Sequence, residues 1–234
     1  MSIALFTDFD GTLVPPELVR RGGRIPQELD EALRELAGAI PLAVVTTKDC
    51  RFVAERVPYA AAYACINGIE VRAGGYMAVA DDLRPEALEG VLKRAEGLGA
   101  FLELKRTGDG RPAGLTIDWR ESGVKPEGLE GVLAEAERAG LKVLRYSRHP
   151  FADIYASRRD KGDAVRLLKA LLGVSHVAYM GDSENDIPAW READVRIVVR
   201  HDLNRGLVVG GALPVPYGDL PAYLRQVLCN IKGC

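Results

Sequence analysis

Short apolar runs and amphipathic stretches alternate along most of the chain. Ile3-Ala4-Leu5-Phe6 has no polar interruption, the pattern of a strand buried on both faces, and it leads straight into Asp8-Phe9-Asp10-Gly11. Pro26 then opens a stretch with Leu29, Leu33 and Leu36 on one helical face, and Pro41 closes the connection to a second run, Leu42 to Val45, which ends in Thr46-Thr47-Lys48. Residues 51–57 predict a short helix and 61–66 a third strand. Asn67-Gly68 predicts a tight hairpin before Ile69-Glu70-Val71, and Gly74-Gly75 a further turn. Strands alternating with helices, with polar residues gathered where strands end, predict an α/β fold around a parallel sheet.

From residue 80 to 157 the pattern changes. Two amphipathic helices, opened by Pro85 (apolar Leu88, Val91, Leu92, Ala95) and by Pro126 (apolar Leu129, Val132, Leu133, Ala136), alternate with paired strand-like segments at 100–105 with 114–119 and 141–146 with 151–156. Helix, two strands, helix, two strands predicts a two-layer α/β unit inserted at 80–157. The flanking stretches 1–79 and 158–234 then form a doubly wound, mainly parallel sheet, a Rossmann-like core. Within it, 161–172 reads as a helix, 174–180 as a strand, 181–186 as an acid-rich loop, 187–192 as a helix and 195–199 as a strand. Residues 214–228 read as a proline-punctuated surface segment that becomes helical from about Asp219.

Composition narrows the classes. At 234 residues, 47% hydrophobic and 27% charged, the chain is globular rather than fibrous or disordered. A net charge of −2, without long runs of one sign, argues against nucleic-acid and anionic-membrane partners, which need clustered positive charge. The longest apolar stretch, 36–45, is only about ten residues, is broken by Gly38 and Pro41, and is too short to span a bilayer. The start lacks a basic segment and turns acidic at Asp8, so the expected compartment is the cytosol. Cys50, Cys65, Cys229 and Cys234 show no zinc-site spacing and read as small buried side chains plus two tail thiols, a disulfide being the alternative.

The chemistry sits at strand ends. Asp8 and Asp10 follow the first strand, and Asp182 and Asp186 follow the one ending at Met180; in a parallel sheet such loops share the carboxyl edge, where ligands bind. Like charges gather there at a cost unless a cation balances them, so the cluster calls for a divalent metal with oxygen ligands, Mg²⁺ being the natural choice. A calcium loop starting at Asp8 would need Glu at its twelfth position, where Val19 stands. Thr46 ends a strand and Lys161 opens a helix, together suiting one phosphate. An ammonium is at the unfavourable end of a helix dipole, so Lys161 predicts an anionic partner.

In order, Asp8-Phe9-Asp10-Gly11-Thr12-Leu13, Thr46, Lys161 and Gly181-Asp182-Ser183-Glu184-Asn185-Asp186 resemble the four motifs of the haloacid dehalogenase (HAD) superfamily, and the insertion resembles the α/β cap of its Cof-type, sugar-phosphatase branch. The resemblance implies a phosphomonoesterase in which Asp8 attacks phosphorus to form an aspartyl-phosphate. Asp10 protonates the leaving alcohol and then activates water. Mg²⁺ would be held by an Asp8 oxygen, the Asp10 carbonyl and Asp182, with Asp186 ligating it or orienting a bound water. Thr46 and Lys161 would bind phosphoryl oxygens, helped by the Gly11 and Thr12 amides.

Selectivity is expected from the insertion. Glu103 and Lys105 alternate with Leu102 and Leu104 and so face away from the apolar layer, and Asp153 is a third candidate. Thr46-Thr47-Lys48, the stretch from Asn67-Gly68 to Gly75-Tyr76, and 181–188 resemble mannosyl-3-phosphoglycerate phosphatases. The segments 101–105 and 116–120 resemble trehalose-6-phosphate phosphatases, and the small cap with the fourth motif resembles archaeal phosphoglycolate phosphatases. The substrate therefore stays open among sugar phosphates, phosphoglycerate derivatives and phosphoglycolate. A phosphomutase would need a glycine-rich fourth segment that is missing, and a non-catalytic binding protein would have no need of both Asp8 and Asp10.

Overall fold

The computed structural model describes residues 2–18, 23–146 and 149–234. The chain divides into two compact units, Met1–Met77 with Asp160–Cys234, and Ala78–Arg159. In chain order the elements are β1 (Ile3–Thr7), α1 (Gln27–Ala37), β2 (Leu42–Val45), α2 (Cys50–Arg56), β3 (Ala62–Cys65), β4 (Glu70–Ala73) and β5 (Tyr76–Val79). Then come α3 (Pro85–Ala95), β6 (Phe101–Arg106), β7 (Pro112–Asp118), α4 (Leu129–Arg138), β8 (Lys142–Arg145) and β9 (Phe151–Tyr155). The chain closes with α5 (Lys161–Leu171), β10 (His176–Gly181), α6 (Ile187–Glu192), β11 (Val195–Arg200), β12 (Leu213–Pro216) and α7 (Leu220–Lys232).

The larger sheet runs β12-β11-β10-β1-β2-β3-β4-β5, as an α/β fold requires. Strands β12 through β3 are mutually parallel, and β4 turns back antiparallel on β3. Central β1, buried from Ala4 to Thr7, has β2 on one side and β10 on the other, so the chain order reverses there and opens a crevice at the carboxyl ends. One side of the sheet packs against α5 and α6, with Phe6, Val165, Leu168, Tyr179 and Trp190 fully buried in one cluster. The buried Trp190 indole donates to the Ile197 carbonyl at 3.1 Å. Helix α2 is capped by Asp49, which accepts from the Phe52 amide at 2.8 Å, and α5 by a reciprocal Asp160–Asp163 capping box.

Three local expectations change. Residues 213–216 form a strand parallel to β11, where a surface segment is expected from 214. Pro214 and Pro216 are tolerated because β12 is the outermost strand of the sheet. The hairpin between β3 and β4 has a four-residue loop, 66–69, in which Ile66 and Asn67 both take positive φ (50° and 59°). The Asn67 amide donates to the Thr46 carbonyl (3.0 Å) and the Ile66 amide to the Lys48 carbonyl (2.9 Å). The cysteines pair rather than standing apart. Cys50 and Cys65 form one disulfide with Cα atoms 5.3 Å apart, because α2 begins where β3 ends, and Cys229 pairs with Cys234 at the end of α7.

The second unit carries an antiparallel sheet in the order β6-β7-β9-β8. Alternation sends Leu115, Ile117 and Ile154 to a core shared with Leu88 and Val91 of α3 and Leu129 and Leu133 of α4. Helix α4 starts three residues after Pro126, because Gly128 takes a left-handed conformation at φ 82° and serves as its N-cap. The two ends of the unit run side by side. The Arg84 amide donates to the Ala156 carbonyl (2.7 Å), and Asp82 accepts from the Ser157 hydroxyl (2.5 Å) and the Arg158 amide (2.9 Å). No helix among the described residues is long and apolar enough to cross a membrane.

Candidate active site

The carboxyl ends of β1 and β10 bring Asp8, Asp182 and Asp186 together, all buried, with one oxygen from each within 4.8 Å of the others. Two glycines make this possible. At Gly11, φ is +79° and a Cβ would lie 2.7 Å from Asp182 Cγ; at Gly181 a Cβ would lie 2.6 Å from Asp186 Oδ2. The Gly11 amide donates to the Val14 carbonyl at 2.9 Å, so it closes a turn and is not directed at a phosphoryl oxygen as expected. The Thr12 hydroxyl donates to Asp182 Oδ1 at 2.8 Å.

Lys161 is fully buried at the start of α5, with Nζ 2.9 Å from Asp8 Oδ2 and 2.7 Å from Asp186 Oδ1. These carboxylates are the anionic partners its position called for. Burial opposes the Lys161 charge, but Asp186 and Asp8 outweigh it and hold its pKa above the ordinary lysine value. Burial likewise pushes the Asp8 carboxyl well above its usual range, with Lys161 pulling it back and Asp186 and Asp182 adding to the rise. Burial raises Asp182 too, the hydrogen bond from His201 acting against it and Asp186 reinforcing it.

Asp186 is saturated. Its Oδ1 accepts from Lys161 and from the Tyr179 hydroxyl (2.6 Å), and its Oδ2 accepts from the amides of Asp182 and Ser183 (both 3.0 Å). Four donors fill about the four lone-pair positions a carboxylate offers, so Asp186 fixes Lys161 and its own loop. Thr46 is buried at the end of β2, its hydroxyl oxygen accepting from the Lys48 amide at 3.2 Å. Asp10 lies outside the buried trio, with Oδ2 3.6 Å from Lys48 Nζ.

Three buried carboxylates face one buried ammonium, leaving an excess of negative charge that a small divalent cation would balance. An all-oxygen donor set suits Mg²⁺. Asp8 and Asp182 would hold it.

The insertion's candidates sit on the sheet face opposite its helices. Lys105 and Asp153 are both buried, and Lys105 Nζ lies 3.5 Å from Asp153 Oδ1, so the carboxylate beside Lys105 is Asp153. Asp153 also accepts from Thr116, from Tyr146 at 2.7 Å and from Tyr155 at 3.2 Å. Lys105 stands opposite Gly114 in register, and the missing side chain there lets its ammonium reach toward β9, 5.7 Å from the Tyr155 ring centroid. Glu103 pairs in register with Thr116, which pairs with Asp153, placing all three in one row across the sheet.

The sequence reading missed Lys48, Tyr179 and His201. His201 obeys the same rule as the other site residues, a polar side chain just past the end of a parallel strand, but the apolar run that marks β11 in the sequence ends two residues earlier, at Val199. Tyr179 lay hidden inside an apolar run.

The sequence matches no protein-family model and no curated protein. Its structure resembles solved structures over nearly its whole length. They include the HAD subclass IIB sugar phosphatase BT4131, with a TM-score of 0.69, 19% identity, and 98% of this chain and 100% of that one covered. A trehalose-6-phosphate phosphatase related protein aligns with a TM-score of 0.70, 15% identity, and 99% and 100% covered. Thermoplasma acidophilum 0175 aligns with a TM-score of 0.72, 17% identity, and 97% and 98% covered. The chain therefore has the fold of the HAD superfamily phosphatases.

Proposed function

We propose that this chain is a Mg²⁺-dependent phosphomonoesterase that hydrolyses a small phosphorylated metabolite, a sugar phosphate or phosphoglycerate derivative, through an aspartyl-phosphate on Asp8. The observation that carries the reading is the Asp8 carboxylate at the switch point of the sheet, 2.9 Å from a buried ammonium and clustered with two further buried carboxylates. A carboxylate needs no deprotonation to attack phosphorus. Lys161 lies against its Oδ2, where it can also neutralise a phosphoryl oxygen, and Thr46 offers a hydroxyl from the neighbouring strand end. Bound Mg²⁺ supplies charge neutralisation at the phosphoryl group. Asp10, two residues on and paired with Lys48, is the group to protonate the departing alcohol and then take a proton from water. Among neighbours of the same fold, BT4131 is a sugar phosphatase, which supports the substrate class.

The test is turnover of p-nitrophenyl phosphate with Mg²⁺ and after exhaustive chelation, followed by a panel of trehalose-6-phosphate, mannosyl-3-phosphoglycerate, phosphoglycolate and hexose phosphates. Turnover that survives chelation, or none with any of these esters, overturns the proposal.

A further inference from the structure

The loop after β11 meets the loop after β10 through two side chains. Asn204 donates from Nδ2 to the Asp182 carbonyl (2.8 Å) and to the Val199 carbonyl (2.7 Å), while its Oδ1 accepts from the His201 amide (3.1 Å). Held in this way, the His201 ring brings Nε2 to 3.0 Å from Asp182 Oδ2, and its side chain is 9% exposed. An ionised carboxylate accepts, so His201 Nε2 carries a proton toward Asp182 Oδ2. Asp182 thus has a donor on each oxygen, Thr12 on Oδ1 and His201 on Oδ2. Two donors at opposite ends of a carboxylate stop it rotating and leave a lone pair on each oxygen for another ligand.

We infer that His201 is a positioning residue that presents Asp182 to the divalent cation. The inference deepens the proposed function and rests on it. With His201 on one oxygen and Thr12 on the other, the orientation of the Asp182 carboxylate is fixed from both sides. Outer groups that hold a metal-binding carboxylate change metal affinity when they are removed.

The experiment compares His201→Ala, His201→Gln and His201→Asn in the full chain by calorimetric titration of metal-stripped protein with Mg²⁺, without substrate. The Gln amide nitrogen can reach the place of Nε2, whereas the Asn nitrogen falls nearer Nδ1. Mg²⁺ affinity should fall about tenfold or more in His201→Ala and His201→Asn and return to within about threefold of wild type in His201→Gln. In turnover assays the Mg²⁺ requirement should rise in parallel, while kcat at saturating Mg²⁺ stays within about threefold. Unfolding midpoints in EDTA identify any variant that fails to fold, and the Gln–Asn comparison still decides if His201→Ala does. Wild-type affinity in both His201→Ala and His201→Asn, or equal affinity in Asn and Gln, overturns the inference while leaving the proposed function standing. A wild-type protein that neither binds Mg²⁺ nor turns over phosphate esters removes both.

Discussion

Asp8 is asked to be ionised inside the protein, and its surroundings show how that is arranged. Burial favours its neutral form, and the ammonium of Lys161 is the counterweight. Replacing Asp8 with Asn keeps the shape and removes the nucleophile, so turnover should drop at least about a thousandfold with the unfolding midpoint little changed. Residual activity above that level in steady-state assays would count against a covalent route. Replacing Lys161 with Met instead strands Asp8 and Asp186 without their ammonium; removing one partner of a buried pair costs about 3 to 5 kcal/mol. Thermal unfolding should register that as a fall of roughly 6 to 20 °C for a chain of this size.

The same carboxylate sets a pH signature. Because its folded pKa is raised above the unfolded value, the folded state holds the extra proton in the interval between them. The metal-stripped protein should therefore lose stability as pH rises from about 4 through the folded pKa of Asp8. Saturating Mg²⁺ should remove most of that loss, so the metal-induced rise in unfolding midpoint should be larger at pH 7 than at pH 5. Equal rises at both would contradict the placement of the ion at Asp8.

At the scale of elements, the Cys50–Cys65 link ties the first residue of α2 to the last of β3, closing a loop over a sequence separation of 15. Such a loop contributes about 3 kcal/mol by restricting the unfolded chain, so Cys50→Ser with Cys65→Ser, or reduction, should lower the unfolding midpoint by roughly 6 to 12 °C. Thr46 and Lys48 lie just before Cys50, and their carbonyls accept from the Asn67 and Ile66 amides just after Cys65, so the link holds the two flanks of this contact together. Inorganic phosphate should accordingly inhibit the reduced protein less well than the oxidised one. Unchanged stability on reduction would mean the crosslink is idle.

The elements also show what a sequence can and cannot disclose. Asp8, Lys161, Asp182 and Asp186 were legible because each lies where an apolar run stops or a helix starts, and such places converge in a parallel sheet; Thr46 stands at the end of β2 by the same rule. The strand 213–216 was not, since two prolines mask its pattern and only its edge position excuses them. The Lys105–Asp153 pair was hidden for another reason: it depends on the register of three strands and on Gly114 leaving room between them. Pairing of cysteines likewise follows from where α2 and β3 meet, which spacing along the chain does not encode.

At the scale of the whole molecule, the unit Ala78–Arg159 has its own apolar core and its own sheet. Expressed alone it should unfold cooperatively with a mixed helix and strand spectrum; a shapeless chain would mean that its core depends on the remainder. Within the full protein, Glu103→Ala should raise KM for the best metabolite of the panel and leave p-nitrophenyl phosphate hydrolysis near wild type, if selectivity is written on that sheet face. Lys105→Ala should cost stability as well, because it leaves buried Asp153 without its ammonium.

The Asp82 clasp has a consequence for how the chain finds its fold. For residues on either side, the insertion is a loop of about 80 residues that must be closed before β10 can settle beside β1; closing such a loop from an open coil is entropically costly. Once Asp82 holds Ser157 and Arg158, the two ends leave from one place and the effective loop shrinks to about five residues. Four halvings of loop length lower the closure cost by about 2.4 kcal/mol, roughly a fiftyfold gain in the rate of assembling the parallel sheet when the insertion forms first. Asp82→Ala should then slow refolding of the complete chain in stopped-flow experiments more than it speeds unfolding, making this carboxylate a timing element for a sheet it does not belong to.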